Sequence, residues 1–224
     1  MQNTELNYPK VALIGAGGIS CQLLPLLSLD RDVVLVDGDK FEPHNSTRQF
    51  PALTSEGNKA EILAEMQSQR TTKEILPIPH YLKGLEIINR DEWQGVNLII
   101  GAVDNNESRV LITKIADDLE IPAILCGNEV NVGESHLFLP GTYNPFDHYD
   151  FGEMTPAPYS CTSDDQAESA PQTGTANHLA AACGLFMLSA LEQTIDKKNL
   201  PVNVNMDIRA GVSRTRLFEK VELT

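Results

Sequence analysis

The chain has 224 residues, and 17 Lys plus Arg against 31 Asp plus Glu give a formal charge of −14 and an isoelectric point near 4.7. Such acidity excludes the basic footprint of a nucleic-acid binder or an anionic-membrane binder. The 42% of hydrophobic and 21% of charged residues suit one packed domain rather than a disordered tail.

In chain order, short β-branched runs alternate with helical stretches: KVALIG, GISCQLLPLLSL, DVVLVD, NKAEILAEMQSQ, ILPIPHYL, NLIIGAV, SRVLITKIADDL and PAILCG. Runs that are apolar throughout, rather than alternating, are strands buried on both faces of a parallel sheet. The intervening helices supply the crossovers. The expectation is an α/β fold: a doubly wound, Rossmann-like, mainly parallel sheet. Glu134 to Pro140 reads as a further strand, and residues 141–173 form a long crossing loop rich in Pro, Ser and Asp. Thr175 to Ile195 reads as a long apolar helix. Val202 to Ile208 and Val212 to Val221 then close the sheet as an antiparallel hairpin. One domain spans 1–224, with a nucleotide-binding half at about 10–130, the crossing loop at about 141–173, and the helix and hairpin at about 174–222. The longest apolar run, Leu179 to Leu191, is too short for a bilayer, and no secretory pattern opens the chain. Cys21, Cys126, Cys161 and Cys183 stand far apart without a CxxC pair. A reduced cytoplasmic setting is therefore expected, with neither a disulfide framework nor structural zinc.

Gly15-Ala16-Gly17-Gly18-Ile19-Ser20 follows the first strand and opens the first helix. Glycines let a phosphate approach the backbone, and free amides at a helix start favour an anion. Asp37 ends the second strand about twenty residues on, where a carboxylate accepts from ribose hydroxyls. Asp39, Asn45, Arg48 and Gln49 follow, then Gly57 and Lys59. Cations converging beyond the second strand suit a nucleoside triphosphate, whose charge must be balanced during attack at phosphorus. Taken singly, Arg48 and Lys59 also read as solvated charges. Asp104, in GAVDNNESR, lies at the carboxyl end of a strand, where α/β sheets bind ligands. It reads either as a helix N-cap or as an oxygen ligand for Mg²⁺, and both readings stay open.

The segments GAGGIS, VDGD with Asn45 and Arg48-Gln49, GNKAE and VDNNESR, in this order and spacing, resemble the ThiF/MoeB/HesA family, the adenylating core of ubiquitin-activating enzymes. The resemblance runs through AILCG and the late helix to the closing hairpin. It implies an enzyme that uses ATP and Mg²⁺ to adenylate the C-terminal glycine of a ubiquitin-like or sulfur-carrier β-grasp protein ending in Gly-Gly, releasing pyrophosphate. On this footing Gly15, Gly17 and Gly18 line the phosphates, and Asp37 and Asp39 lie at the nucleotide, with Asp37 holding the ribose. Asn45, Arg48 and Lys59 contact phosphate, Asp104 positions magnesium, and Asn105 and Arg109 support the site. A homodimer is also implied. The chain departs from the family pattern in two respects: no arginine precedes Arg31, where relatives carry an N-terminal arginine that reaches into a partner subunit, and zinc-binding CxxC pairs are missing. The length implies a minimal adenylating core.

The missing arginine keeps a second reading open, a non-catalytic scaffold half of a heterodimeric activating enzyme. An NAD-linked oxidoreductase would use the glycine turn and Asp37 but leaves Arg48 and Lys59 unexplained. Cys161 in the crossing loop is a candidate acceptor for the adenylated tail, against the reading of an incidental loop thiol; Asp164 and Asp165 nearby oppose its ionisation. His148 in the same loop reads as a surface histidine or a peptide contact. Arg209, Arg214, Arg216 and Lys220 make the closing segment locally basic, either as a solvated strand face or as a steering surface for an acidic partner.

Overall fold

A computed structural model describes residues 7–49, 56–129, 131–148, 173–194 and 197–218. Its strands are β1 (Lys10–Ile14), β2 (Asp32–Val36), β3 (Ile75–Ile78), β4 (Leu98–Gly101), β5 (Ala123–Glu129), β6 (Val132–Phe138), β7 (Pro201–Asp207) and β8 (Val212–Leu217). Its α-helices are α1 (Ser20–Leu27), α2 (Lys59–Ser68), α3 (Asn106–Asp118) and α4 (Gly174–Gln193). All eight strands form one sheet in the order β3-β2-β1-β4-β5-β6-β7-β8. The first five are parallel, and β6, β7 and β8 continue antiparallel. The expected α/β architecture with an antiparallel closing hairpin is what the chain adopts.

The unbroken apolar runs have a plain cause. Val11 and Leu13 of β1, Val33 and Leu35 of β2, and Leu98 and Ile100 of β4 face a core shared with Leu23 and Leu27 of α1, Leu63 of α2 and Met187 of α4. Their neighbours Ala12, Ile14, Val34, Val36 and Ile99 face a second core with Ile112 and Ile115 of α3 and with Trp93. Successive side chains alternate between faces, and both faces are covered, so every position must be apolar. Each fully buried Leu or Ile contributes about 1.5–3 kcal/mol.

Two elements depart from expectation for reasons of backbone chemistry. The run ILPIPHYL forms strand only at Ile75–Ile78. Proline lacks a ladder donor, and β3 is the sheet edge, where Pro77 is tolerated. Past Pro79, the segment Tyr81–Lys83 turns over the end of the sheet. Helix α4, 20 residues long, is long and apolar enough to cross a membrane, yet its Ala176, Ala180, Cys183 and Met187 are buried and it packs on β5, β6 and β7. Close approach there depends on glycine. A Cβ on Gly133 of β6 would lie 2.3 Å from the Ala180 amide nitrogen, and one on Gly184 would lie 2.6 Å from Cys126 Sγ. Most of the crossing loop lies outside the described residues, and Cys161 with it.

Candidate active site

Chain order reverses between β1 and β4, so β1 leads outward to β2 on one side while β4 and β5 extend the other. Helices leave the two strands in opposite directions, and a crevice opens at their carboxyl ends. The cavity found there has a volume of about 230 Å³ and is lined by the glycine turn, Asp37, Asp39, Arg48, Lys59 and Asp104 among others.

Gly15 has φ of +94°, a left-handed conformation suited to glycine, and a Cβ there would sit 2.5 Å from the Ala102 carbonyl oxygen. Ser20, fully buried, donates its hydroxyl to the Gly15 carbonyl at 2.6 Å, so it closes the turn instead of facing a ligand. No side chain caps α1. The Cys21 and Gln22 amides of its first turn bond instead to the Gly17 and Ile19 carbonyls, at 3.0 Å each, while Gly15, Gly17 and Gly18 line the cavity.

Asp37 accepts the Ala16 amide at 2.5 Å through one oxygen and the Asp39 amide at 2.7 Å through the other. It thereby ties the end of β2 to the glycine turn. Burial pushes its carboxyl above the usual carboxylate value, while Lys59 pulls the other way. Asn58 caps α2 by accepting the Ala60 and Glu61 amides, and it donates to the Asp37 carbonyl at 2.9 Å. Lys59 begins that helix, 2% exposed, with Nζ 3.1 Å from Asp39 Oδ2. The other Asp39 oxygen accepts the Tyr81 hydroxyl at 2.6 Å. The Tyr81 ring packs over Gly38, where a Cβ would lie 2.6 Å from it.

Asp104 is exposed at the cavity edge. The open choice between cap and ligand resolves against the cap: Asn105 caps α3, accepting the Ser108 amide at 2.8 Å. The Asp104 carboxylate keeps only a long contact of 3.4 Å from Asn105 Nδ2 among its described hydrogen bonds. Arg109 lines the cavity one turn further along α3. Burial lowers its affinity for its proton, and Glu134 on β6 offsets this. Gly127 makes room for it, since a Cβ there would lie 2.7 Å from Arg109 Nη2.

Asn45 is placed elsewhere. It is 1% exposed, its Oδ1 accepts the Glu42 amide at 3.0 Å within the short 3₁₀ turn Pro43–Thr47, and it is not among the residues lining the cavity. Conversely, Tyr81, Lys83, Asn128 and Asn177 line the cavity with no part in the sequence reading, and Gln49, named there beside Arg48 without a role, lines it too. Gln49 and Tyr81 carried a sequence signal, as a polar neighbour of Arg48 and an aromatic just after a strand. Asn128 and Asn177 carried none, because they meet only through the packing of α4.

Among the described residues, four that line the cavity hold buried atoms without a hydrogen-bond partner: Arg48 Nε, Gln49 Oε1, Arg109 Nε and Asn177 Nδ2. Three of these are donors, which fits an anionic, oxygen-rich ligand better than an apolar one. Burial pushes the Cys21 and Cys126 thiols up to about 12 and Cys183 up to about 11. Among the described residues no cluster of three His, Cys, Asp or Glu could hold a metal.

The fold and this site together define an open α/β protein of the nucleotide-binding type. The ThiF family profile matches residues 2–213, and the chain belongs to the ThiF family. It is 28% identical over 152 residues to the NEDD8-activating enzyme E1 catalytic subunit of Arabidopsis thaliana, covering 60% of this chain and 33% of that protein. The protein of the same name from Schizosaccharomyces pombe is 31% identical over 144 residues, 58% of this chain and 31% of its own length. Among solved structures, E. coli MccB superposes with a TM-score of 0.69 at 16% identity, covering 94% of this chain and 62% of that one. PaaA does so at 0.65 and 19%, covering 93% and 63%. The chain thus spans about a third of those sequence relatives and under two thirds of those structures, whose likeness speaks for the fold.

Proposed function

We propose that this chain adenylates the C-terminal glycine carboxylate of a ubiquitin-like or sulfur-carrier β-grasp protein at the expense of ATP, releasing pyrophosphate. One observation carries the reading: Asp37, Arg48, Lys59 and Asp104, drawn from four separate segments, line a single cavity at the switch point of the sheet. Relatives named for NEDD8 activation and for SUMO activation support the substrate class, and a solved MccB–ATP complex supports the nucleotide.

The residues divide the work by chemistry. Asp37 offers its carboxylate to ribose hydroxyls, and the backbone of Gly17 and Gly18 in the cavity wall faces phosphate. Arg48 and Lys59 balance charge that moves onto pyrophosphate as it leaves, an effect strengthened by the low dielectric of the cavity. The attacking carboxylate is already ionised, so the site needs alignment and charge neutralisation rather than a general base. Magnesium would be held by Asp104 together with nucleotide phosphates, because a single carboxylate is a common protein share of an Mg–nucleotide site. Its role would be to neutralise phosphate charge.

The cavity also bears on the competing readings. A scaffold half has no use for buried donors, unpartnered among the described residues, around this crevice, and a nicotinamide site does not call for Arg48 and Lys59 together. A homodimer and onward transfer of the tail to Cys161 remain parts of the proposal. Light scattering reads the first; the second predicts a thiol-sensitive adduct that Cys161→Ser removes.

ATP–pyrophosphate exchange with Gly-Gly-ending β-grasp proteins encoded beside this chain tests the reading. Exchange is expected, and Asp104→Ala should lower it about 100-fold or more while leaving the circular-dichroism spectrum intact. Failure to bind ATP, together with no exchange from any candidate partner, rejects the proposal.

A further inference from the structure

The cavity has two ends. Asp37 and Tyr81 stand at the β2 side, whereas Asn128, at the end of β5, and Asn177, in the first turns of α4, stand beyond the glycine turn on the other. Asn177 is 1% exposed. Its Oδ1 accepts a hydrogen bond from Asn128 Nδ2 at 2.8 Å, which fixes the amide plane and turns its Nδ2 toward Gly18. A Cβ on Gly18 would lie 2.1 Å from that nitrogen, so the glycine is what admits it. Asn177 Nδ2 has no hydrogen-bond partner among the described residues. Buried donors are almost always paired, and one left open on a cavity wall asks for an acceptor from a ligand.

The mounting is rigid. Thr173 caps α4 by accepting the Ala176 amide at 3.1 Å, and the close approaches at Gly133 and Gly184 hold the helix on the sheet. The group is also neutral, unlike Arg48 and Lys59. That difference matters for a nucleophilic carboxylate. A full positive charge would draw electron density from the attacking oxygen, whereas an amide N–H orients the group through one oxygen and leaves the other free. The same donor suits the product, whose acyl carbonyl still accepts.

Resting on the adenylation reading above, we propose that Asn177, held in place by Asn128, binds the carboxylate of the acyl substrate and then the carbonyl oxygen of the acyl adenylate. In the step it serves, one carboxylate oxygen forms a bond to the α-phosphorus of ATP. The bond from that phosphorus to the bridging oxygen breaks, its electron pair leaves with pyrophosphate, and no proton moves. The second carboxylate oxygen stays on the Asn177 amide throughout.

Two ligands separate this role from nucleotide binding: 5′-O-(N-glycylsulfamoyl)adenosine, a stable mimic of a glycyl adenylate, and 5′-O-sulfamoyladenosine, which lacks the acyl group. Titration calorimetry on the whole chain should show the acyl mimic binding about tenfold more tightly. Asn177→Ala and Asn177→Leu should both erase that preference while leaving the affinity for sulfamoyladenosine within about twofold. Asn128→Ala should shrink the preference about threefold by releasing the amide. The alanine variant adds no volume beside Gly18, so its thermal melt and sulfamoyladenosine affinity establish that it folds. A preference unchanged in both Asn177 variants overturns the assignment and leaves adenylation standing. Equal losses for both ligands overturn it too, as a nucleotide or packing effect. If the wild-type chain binds neither ligand, the adenylation reading itself fails.

Discussion

Lys59 occupies the first turn of α2, the end of a helix where the backbone dipole disfavours a cation, and it is buried as well. Asp39 compensates at 3.1 Å, and Tyr81 holds Asp39 in turn. A local rule broken and then repaired by neighbours is the signature of a position kept for function. A second charged chain runs away from the cavity, from Arg109 to Glu134 to His136, the last pair 3.4 Å apart. His136 and Arg109 lower the Glu134 carboxyl below its ordinary value of 4.5 against the opposing effect of burial. The unfolded chain therefore binds a proton at Glu134 more readily than the folded one. The stability this pairing contributes is complete above pH 4.5 and is lost as the pH falls through the depressed folded value. Glu134→Gln should flatten the acid side of the curve, read as the midpoint of urea unfolding between neutral pH and acid. A variant as acid-sensitive as the parent would show that the ion pairs do not carry the effect.

At the scale of elements, α4 has two tasks: it covers β5, β6 and β7, and it carries Asn177 to the cavity. Both depend on how near it lies to the sheet. Gly133→Ala places a methyl against the α4 backbone, with no flexible side-chain end to yield. The helix must shift outward, at a cost of about 1–3 kcal/mol, seen as a fall in melting temperature of roughly 2–4 °C per kcal/mol. The preference for the acyl mimic over sulfamoyladenosine should shrink in the same variant, because Asn177 moves with the helix. A melt within a degree of the parent would mean that the helix and sheet adjust without cost.

Over the whole molecule, the two cores lie on opposite faces of one sheet and share its strands, so neither can melt alone. Trp93, the single tryptophan, is buried on the α3 face, while α1, α2 and α4 cover the other. Tryptophan fluorescence and far-ultraviolet circular dichroism should therefore report one transition with coincident midpoints. ATP at about 100 times its dissociation constant should raise stability by about 2.7 kcal/mol. Separated midpoints would show that one face opens independently. The charge of −14 says little about partners, because exposed Arg209, Arg214 and Arg216 give the closing hairpin a local surplus of the other sign.

Much of this was legible along the chain because it depends on near neighbours. Apolar runs report strands covered on both faces, glycines report a turn that must admit backbone or phosphate, and Asp37, Arg48, Lys59 and Asp104 each adjoin an element end. What was not legible depends on distance through space. The family resemblance implied a phosphate contact for Asn45, but the 3₁₀ turn folds its amide back onto Glu42. Asp104 and Asn105 compete for one helix cap, and only geometry gives it to Asn105. Asn128 and Asn177 are 49 positions apart and meet because three glycines let α4 settle on the sheet. The sequence by itself therefore determined the fold class and the β2, glycine-turn and β4 side of the site, whose residues follow directly on their strands. Only the tertiary structure decided the far side, because it is assembled by helix–sheet packing, and periodicity along a chain holds no record of which distant side chains that packing brings into contact.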